Sequence, residues 1–274
     1  MRKRKPSPSP EPSGREHLRG TFEQVPELYD RARPTYPPEL LDHVAAFGPR
    51  ILEIGPGTGQ ATRGLAARGV SVTAVELGAR LARAARRNAP EAEIVNADFE
   101  VWEPERGDFD AVVAFTAFHW LDPESRYSKA VRLLRPGGTL GVVETALVLP
   151  EGGDPFWREM QEDYDAVTPS PDNRPPPDPS EVADLRVEFE QRAGLVEVEV
   201  RRYRWDVVYD ADGWIDVIAT YSPNIARAAE VRRELFGRLH ARIAARPEGR
   251  IAAHYLATLT TGRTIVPPGG AKLG

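Results

Sequence analysis

The chain has 274 residues, a net charge of −5, 41% hydrophobic residues and no cysteine. A chain of this size can bury a substantial core as one large α/β domain or as two smaller ones. The lack of cysteine excludes disulfide bonds, thiolate nucleophiles, thiolate zinc sites and iron–sulfur clusters. The mild acidity gives no reason to expect a general polyanion binder, and no apolar run approaches the roughly 20 residues that span a bilayer.

The first 15 residues are rich in proline, serine and charge. Such a composition cannot bury apolar surface, so we expect residues 1–15 to be a disordered tail and residues 16–274 to form a single domain. No apolar stretch follows the basic start, which therefore does not read as a secretory signal. We expect a cytoplasmic protein.

Helices and strands alternate through the first half of the chain. Apolar residues at helical spacing predict helices over 38–47, 61–68, 79–88 and 126–134. Short apolar or alternating runs predict strands over 50–54, 70–75, 92–95, 109–115 and 139–143. Near-continuous apolar strands that alternate with helices indicate a parallel, doubly wound sheet covered on both faces. We assign residues 48–150 to this core.

The pattern changes after Pro150. Residues 151–190 combine aromatic side chains with a proline-rich run over 168–180, which predicts an insertion or lid rather than another sheet unit. Residues 191–264 return to the sheet. There we predict strands over 195–209 and 251–260, with helical stretches around 214–220 and 226–245 between them.

A glycine-rich turn, ILEIGPGTGQ at residues 51–60, stands between the first strand and the next helix. Glycines permit positive φ and let a ligand approach the backbone, while the helix N-terminus offers unpaired N–H groups to a phosphate or carboxylate. Dinucleotide binding prefers G-x-G-x-x-G. Gly55 and Gly57 fit that motif, but Gln60 takes the place of its third glycine and Gly59 comes one residue earlier.

Acidic residues accompany the turn at three places. Glu53 precedes it, Glu76 ends the second strand about 20 residues on, and Asp98 follows the third strand beside Phe99. An acid at the end of the second strand binds ribose hydroxyls, and Asp98 is placed to accept a hydrogen bond from an adenine amine. Adenosine recognition without the pyrophosphate motif argues against a nicotinamide dinucleotide.

These segments together resemble class I S-adenosylmethionine (SAM)-dependent methyltransferases: E-x-G-x-G-x-G at 53–59, Glu76, Asp98-Phe99, and LRPGGTLGVVE at 134–144. Three others, YDRARPTYPPELL at 29–41, AFTAFHWLD at 114–122 and TYS at 220–222, resemble a small-molecule subfamily related to trans-aconitate methyltransferases. The resemblance implies a Rossmann-like sheet of seven strands, in which the last two strands pair and the seventh is inserted antiparallel near the edge.

The resemblance also implies a SAM site and an acceptor site. The cofactor residues that it implies are Tyr29, Arg33, Glu53, Gly55, Gly57, Gly59, Gln60, Glu76, Leu77, Asp98, Phe99, Thr116 and Ala117. The candidate acceptor contacts are Tyr36, His119, Trp120 and Tyr221.

Methyl transfer from a sulfonium requires mainly that the nucleophile, the carbon and the sulfur be aligned. His119 is the candidate general base because it follows the fourth strand and titrates near neutral pH. The alternative is that His119 and Trp120 only shape the pocket, since an ionised carboxylate acceptor needs no base. The remaining histidines are scattered, so we expect no metal site.

The sequence thus predicts a SAM-dependent methyltransferase that acts on a small molecule, first of all on a carboxylate or hydroxyl oxygen. We expect no nucleic-acid or membrane partner. A nucleic-acid methyltransferase would need a basic channel, whereas outside the tail the chain offers only a short basic cluster at 201–204. Gln60 and the acid pattern disfavour an NAD-dependent oxidoreductase. A non-catalytic module that binds SAM or adenosine remains the other alternative, which activity on any acceptor would exclude.

Overall fold

The computed structural model describes residues 26–105, 107–171, 173–191 and 194–265. The predicted tail, residues 1–15, lies outside them. The first half contains α1 (Pro26–Ala32), α2 (Pro38–Ala45), β1 (Arg50–Ile54), α3 (Gln60–Ala66), β2 (Ser71–Glu76), α4 (Ala79–Asn88), β3 (Glu93–Asn96), β4 (Phe109–Phe115), α5 (Arg126–Arg132) and β5 (Leu134–Val148). The second half contains α6 (Phe156–Glu159), α7 (Gln161–Val167), α8 (Arg186–Gln191), β6 (Leu195–Asp210), α9 (Ala211–Ala219), α10 (Ser222–Ile225), α11 (Ala229–Ala244) and β7 (Arg250–Thr264).

Within the described residues, seven strands form one sheet in the order β3-β2-β1-β4-β5-β7-β6. The strands β1 to β5 run parallel to one another. β7 lies antiparallel to both β5 and β6, between which it is inserted. This arrangement confirms the doubly wound sheet and the antiparallel seventh strand that the sequence predicts.

β5 is much longer than its predicted span of 139–143. Its first residue, Leu134, already pairs with Phe109 of β4, and its far end pairs with β7 as far as Val148 opposite His254. The run Arg-Pro-Gly-Gly reads as a turn in the sequence, yet the strand continues through it with Gly137 at φ +73°. Pairing with two neighbours, which local sequence does not encode, extends this strand in both directions.

Buried apolar side chains cover both faces of the sheet. Residues of α2, α3 and α4 pack on one face around Ile51 and Val113, and residues of α5 and α8 pack on the other around Leu52 and Val112. This two-sided burial explains why the central strands are almost continuously apolar.

The insertion after β5 contributes helices and loops but no strand among its described residues. It is anchored to the far end of the sheet by Trp157, which is fully buried, donates its indole N–H to the Ala252 carbonyl (2.8 Å) and packs edge-on against Trp214. The carboxyl ends of β1, β2 and β4 are left for a ligand, with α1 above them. No helix in the described ranges is both long and apolar enough to cross a membrane.

Candidate active site

A large cavity opens at the carboxyl ends of β1, β2 and β4, where doubly wound sheets bind their ligands. Its empty volume is about 1180 Å³, including the open space at its mouth. The lining residues are Tyr29, Tyr36, Glu53, Ile54, Gly55, Pro56, Gly57, Gln60, Ala61, Val75, Glu76, Leu77, Gly78, Leu81, Phe99, Phe115, Thr116, Ala117, Trp120 and Leu121.

The glycines of the turn after β1 serve different purposes. Gly57 has φ +59°, and a Cβ added to it would meet nothing within 4 Å, so the backbone there faces open space in the cavity. Gly59 has φ +86° and is the N-cap residue before α3, where an added Cβ would lie 3.3 Å from Cα of Ala85 in α4. Gly57 therefore admits a ligand to the backbone, while Gly59 permits close packing of two helices.

Glu76, at the end of β2, joins this turn to the next one. Its Oε2 accepts a hydrogen bond from the Gly57 N–H (2.9 Å), and its Oε1 accepts one from the Gly78 N–H (2.7 Å). The following residue, Leu77, is 45% exposed although it lines the cavity. A carboxylate beside an uncovered apolar side chain suits a ligand that has both hydroxyl groups and an apolar ring.

Glu53 is a second carboxyl at the base of the cavity. It is only 1% exposed and accepts a hydrogen bond from the Thr62 hydroxyl (2.7 Å). Burial raises the pKa of Glu53 to about 7, and the nearby charge of Glu76 acts in the same direction. This carboxyl therefore changes its protonation state near neutral pH.

α1 covers the glycine turn and is held to it by several polar contacts. Asp30 accepts hydrogen bonds from the Thr58 hydroxyl (3.0 Å) and from Arg63 (3.3 Å). The Gln60 amide reaches the carbonyls of Asp30 (3.5 Å) and Arg33 (3.4 Å). These contacts hold α1 in the position from which Tyr29 lines the cavity.

The end of β4 carries a strained residue. Thr116 has φ +55°, a conformation that costs a residue other than glycine about 1–3 kcal/mol, and its N–H donates to the Val143 carbonyl (2.7 Å). Its hydroxyl lies 3.4 Å from the Tyr36 hydroxyl and 3.3 Å from that of Thr145. Burial raises the pKa of Tyr36, so its phenol stays protonated at physiological pH.

Most residues that the sequence predicts for the cofactor lie around this one cavity. Those that line it are Tyr29, Glu53, Gly55, Gly57, Gln60, Glu76, Leu77, Phe99, Thr116 and Ala117, and of the predicted acceptor contacts Tyr36 and Trp120 do.

Five predicted site residues do not line the cavity: Arg33, Gly59, Asp98, His119 and Tyr221. Asp98 accepts the Glu100 N–H (3.0 Å) in the turn after β3. His119 is an exposed residue of the short helical turn Phe118–Trp120. Partial desolvation, and then the charge of Arg126, lower the pKa of His119, so the imidazole is neutral at pH 7. Its role as a base remains a prediction.

Sequence reasoning missed several residues of the lining. Ile54, Pro56 and Gly78 are sequence neighbours of the motif residues, so the motifs could have predicted that they line the cavity. Leu81 and Leu121 reach the cavity from α4 and from the loop before α5, and no local pattern distinguishes them from core leucines. Only tertiary structure reveals their place.

Comparison with known proteins agrees with this geometry. The family described as a methyltransferase domain matches residues 51–138, which contain the glycine turn and β1 to β4. An uncharacterised methyltransferase of Mycobacterium tuberculosis is 28% identical over 234 residues, covering 83% of this chain and 87% of the relative. The trans-aconitate 2-methyltransferase of Paracidovorax citrulli is 32% identical over 148 residues, covering 50% and 54%.

Solved structures show the same fold. A candidate type II methyltransferase from Anaeromyxobacter dehalogenans has a TM-score of 0.60 at 20% identity and covers 86% of this chain and 99% of its own. A SAM-dependent methyltransferase from Thiobacillus denitrificans, solved with S-adenosylhomocysteine, has a TM-score of 0.50 at 16% identity and covers 88% and 98%.

The chain is a class I methyltransferase. Its cofactor is SAM, and the cavity fits that molecule. A Cβ added to Gly57 would project into open space, so the backbone there leaves room for the cofactor. The carboxylate of Glu76, at the end of β2, lies beside this space and can accept hydrogen bonds from hydroxyl groups.

Proposed function

We propose that this methyltransferase transfers the methyl group of SAM to an oxygen atom of a small-molecule acceptor. The observation that carries the proposal is the lining of the cavity. It continues past the glycine turn to Tyr29, Tyr36, Thr116 and Trp120, so that polar and aromatic side chains for an acceptor adjoin the residues assigned to the cofactor.

The relatives support an acceptor of this kind. Besides the trans-aconitate 2-methyltransferase, the ubiquinone biosynthesis O-methyltransferase of Xanthomonas campestris is 36% identical over 114 residues, covering 38% of this chain and 47% of that protein. Both are named for small acceptors, and the second is named for transfer to oxygen. We extend both features to this chain as part of the proposal.

Residues of the turn and the strand ends hold the cofactor in this proposal. The cofactor's carboxylate lies over the glycine turn at Gly55 and Gly57, where the backbone at Gly57 is open to a ligand and the N-terminus of α3 is near. The N–H groups of Gly55 and Gly57 themselves donate to the Val75 carbonyl and to Glu76. Glu76 accepts from the ribose hydroxyls, while Leu77 and Phe99 contact the adenine. Asp98 adjoins Phe99 in the chain but lies outside the lining, and in this proposal its carboxylate turns toward the cavity to accept a hydrogen bond from the adenine amine.

Positioning and exclusion of water account for most of the chemistry that the protein supplies. When bound, SAM supplies a methyl group whose bond to sulfur breaks, with its electron pair passing to sulfur, as the acceptor oxygen forms the new bond. Thr116 and Ala117 line the end of the cavity where the acceptor must approach. The protonated phenol of Tyr36 donates a hydrogen bond there, which orients the acceptor.

A transfer assay with SAM labelled in its methyl group tests the proposal. The acceptors are a set of small carboxylic acids and phenols, with bulk transfer RNA and duplex DNA as alternatives, and calorimetry with SAM and NAD⁺ establishes cofactor binding first. We expect binding of SAM alone and label in small acceptors. Label in nucleic acid would contradict the acceptor class, and tight SAM binding without transfer to any acceptor would favour a non-catalytic module.

A further inference from the structure

The part of the cavity wall that contains Trp120 is a single helical turn. Phe118–Trp120, which we call the Trp120 turn, has only three residues, and the Trp120 N–H donates a hydrogen bond to the Ala117 carbonyl (3.1 Å). The strained residue Thr116 lies shortly before it in the chain. So short a helix after a strained residue is not stable by itself. Contacts with the rest of the protein must therefore fix the Trp120 turn.

Arg126, the first residue of α5, holds the Trp120 turn. Its Nη1 donates a hydrogen bond to the Phe118 carbonyl (3.3 Å), and its guanidinium carbon lies 5.0 Å from the centre of the Phe118 ring. A cation this close to the face of an aromatic ring is attracted to it. Arg126 thus contacts both the backbone and the side chain of Phe118.

Glu188, which lies in α8 at the end of the insertion, fixes Arg126 in turn. Its Oε2 accepts hydrogen bonds from Nη2 of Arg126 (2.8 Å) and from the Tyr127 hydroxyl (2.9 Å). The Arg126 side chain is only 12% exposed, and its buried Nε has no acceptor among the described residues. A cation so far removed from water needs an anion to hold it. The placement of the guanidinium therefore depends on Glu188.

α8 presents Glu188 from a fixed position. Its Phe189 is fully buried and meets the Tyr127 ring edge-on, with ring centres 5.6 Å apart. The aromatic contacts continue from Tyr127 to Phe118, whose ring centres are 5.0 Å apart. Two sets of contacts, one polar and one aromatic, therefore join the insertion to the Trp120 turn.

A second carboxylate, Glu144 of β5, is near Arg126, but no hydrogen bond joins these two described residues. Burial raises the pKa of Glu144, the charge of Glu188 acts in the same direction, and the charge of Arg126 opposes both. Arg126 therefore has two carboxylates nearby, and Glu188 is the one that binds it.

We propose that Glu188 is a positioning residue of the acceptor site: by holding Arg126, it fixes the Trp120 turn and so the wall of the cavity that the acceptor meets. Glu188 itself does not line the cavity. His119 moves with this wall, because its ring centre lies 4.9 Å from that of Trp120. The inference rests on the proposed function, which places the acceptor beside Trp120, and it gives the insertion a role in methyl transfer that is separate from binding of SAM.

Fluorine NMR of protein labelled with 5-fluorotryptophan tests the inference without an acceptor. The chain has five tryptophans, and Trp120→Phe identifies the signal of Trp120 by its loss. Spectra are recorded with S-adenosylhomocysteine bound. Glu188→Ala is compared with Glu190→Ala, a matched change in the same helix at an exposed residue whose ion pair is 3.8 Å long. The signals of Trp157 and Trp214, in a separate buried cluster, report on the rest of the fold.

We expect Glu188→Ala to shift and broaden the Trp120 signal, while the Trp157 and Trp214 signals stay as in wild type. Glu190→Ala should leave all three unchanged. Glu188→Gln should give an intermediate change, because its amide oxygen can still accept a hydrogen bond but carries no charge.

Steady-state kinetics with the acceptor that takes most label in the transfer assay give a second readout. Glu188→Ala should lower kcat/KM for that acceptor about 10-fold, as expected for the loss of a charge-assisted hydrogen bond, and leave the Kd for SAM unchanged. Arg126→Lys keeps the charge but lacks the fork that contacts Phe118 and Glu188 together. The double variant should lose little more than the more affected single variant, because both substitutions act through one contact.

Three results would overturn the inference. An unchanged Trp120 signal in Glu188→Ala would show that other contacts fix the Trp120 turn. Equal changes in all the tryptophan signals would give Glu188 a merely structural role. A loss of SAM affinity as large as the loss in kcat/KM would place its effect at the cofactor. If no acceptor takes up label while the Trp120 signal changes as expected, the proposed function fails and the placement of the Trp120 turn by Glu188 stands.

Discussion

Gly57 and Gly69 share a left-handed backbone conformation, with φ +59° and +78°, and an added Cβ would meet nothing within 4 Å at either. They differ in what lies beyond. Gly57 faces the cavity, whereas Gly69 lies in the loop between α3 and β2. The same substitution at the two glycines therefore distinguishes the effect of backbone strain from the effect of blocking a ligand.

Gly57→Ala and Gly69→Ala should both destabilise the fold by about 1–2 kcal/mol, because alanine resists the left-handed region. Urea denaturation measures this loss. Calorimetry should show that Gly57→Ala alone loses most of its affinity for SAM, since its methyl group enters the cofactor's space. Equal affinity in the two variants would contradict the assignment of the glycine turn to the cofactor.

Glu53 makes stability depend on pH. Its pKa of about 7 in the folded protein exceeds its ordinary value of 4.5, so the folded state holds the extra proton between those values. The stability that this carboxyl contributes is present in full below pH 4.5 and is lost as the pH rises to about 7. At 1.36 kcal/mol for each unit of pKa, the loss amounts to about 3 kcal/mol.

Glu53→Gln should remove this dependence, because the amide does not ionise yet can still accept from Thr62. The free energy of unfolding, measured in urea at pH 5 and pH 8, should fall less with pH in the variant than in wild type. Glu93→Gln, on the exposed side of β3, is the control and should behave as wild type. An unchanged pH dependence in Glu53→Gln would show that other groups cause it.

At the scale of elements, α1 is a seven-residue helix, which is too short to be stable by itself. Its position therefore depends on the contacts of Asp30 with Thr58 and Arg63. Asp30→Ala should let α1 separate from the glycine turn, so that SAM dissociates about fivefold faster for a loss of ~1 kcal/mol.

Stopped-flow dissociation of SAM, together with amide hydrogen exchange in α1, measures this effect. Asp42→Ala is the control, since Asp42 pairs with Arg68 on the outer side of α2 and should leave both quantities unchanged. Faster exchange in α1 without faster release of SAM would mean that α1 does not retain the cofactor.

Sequence periodicity predicted the bounds of strands and helices best where local sequence sets those bounds. The bounds of β1, α4 and β4 agree with the prediction to the residue, because uniform apolar runs or clear caps define them. β5 and β7 are longer than predicted since each pairs with two neighbours, β5 with β4 and β7, and β7 with β5 and β6. The helix predicted over 226–245 begins at Ala229, and a separate short helix, α10, precedes it.

The site was predictable as far as it is built from contiguous motifs. The glycine turn, Glu76 and the end of β4 form one cavity, because strand ends of a parallel sheet meet at one edge. The contacts of Asp30 with Thr58 and Arg63, and the contact of Arg33 with Thr220, were not predictable from the sequence. Both depend on how α1 packs against α3 and on the placement of Thr220, two features without a local sequence signal.

At the scale of the whole molecule, a cluster remote from the cofactor cavity joins the insertion, α9, α11 and the start of β7. Trp157→Phe should leave the Ala252 carbonyl without its donor and destabilise the protein by about 1–3 kcal/mol. SAM affinity of the folded variant should not change, because no residue of this cluster lines the cavity.

Urea denaturation and calorimetry measure the two quantities. Trp102→Phe is the matched control. It makes the same substitution at a half-buried side chain on the other side of the sheet, so it should lower the free energy of unfolding by less. A large loss of SAM affinity in Trp157→Phe would show that the insertion and the cofactor site are coupled through the sheet.

The insertion of β7 between β5 and β6 also constrains how the protein is made. Among the described residues β6 pairs with β7 alone, and β7 begins 40 residues after β6 ends, at Arg250 against Asp210. On the ribosome, β6 therefore has no partner until β7 has emerged, and the edge of β5 stays open for the same time. In a nascent chain halted before Arg250, the half that contains β1 to β5 should be able to fold while β6 is still unpaired. The arginines and glutamates of β6 should keep it from pairing with other chains during translation.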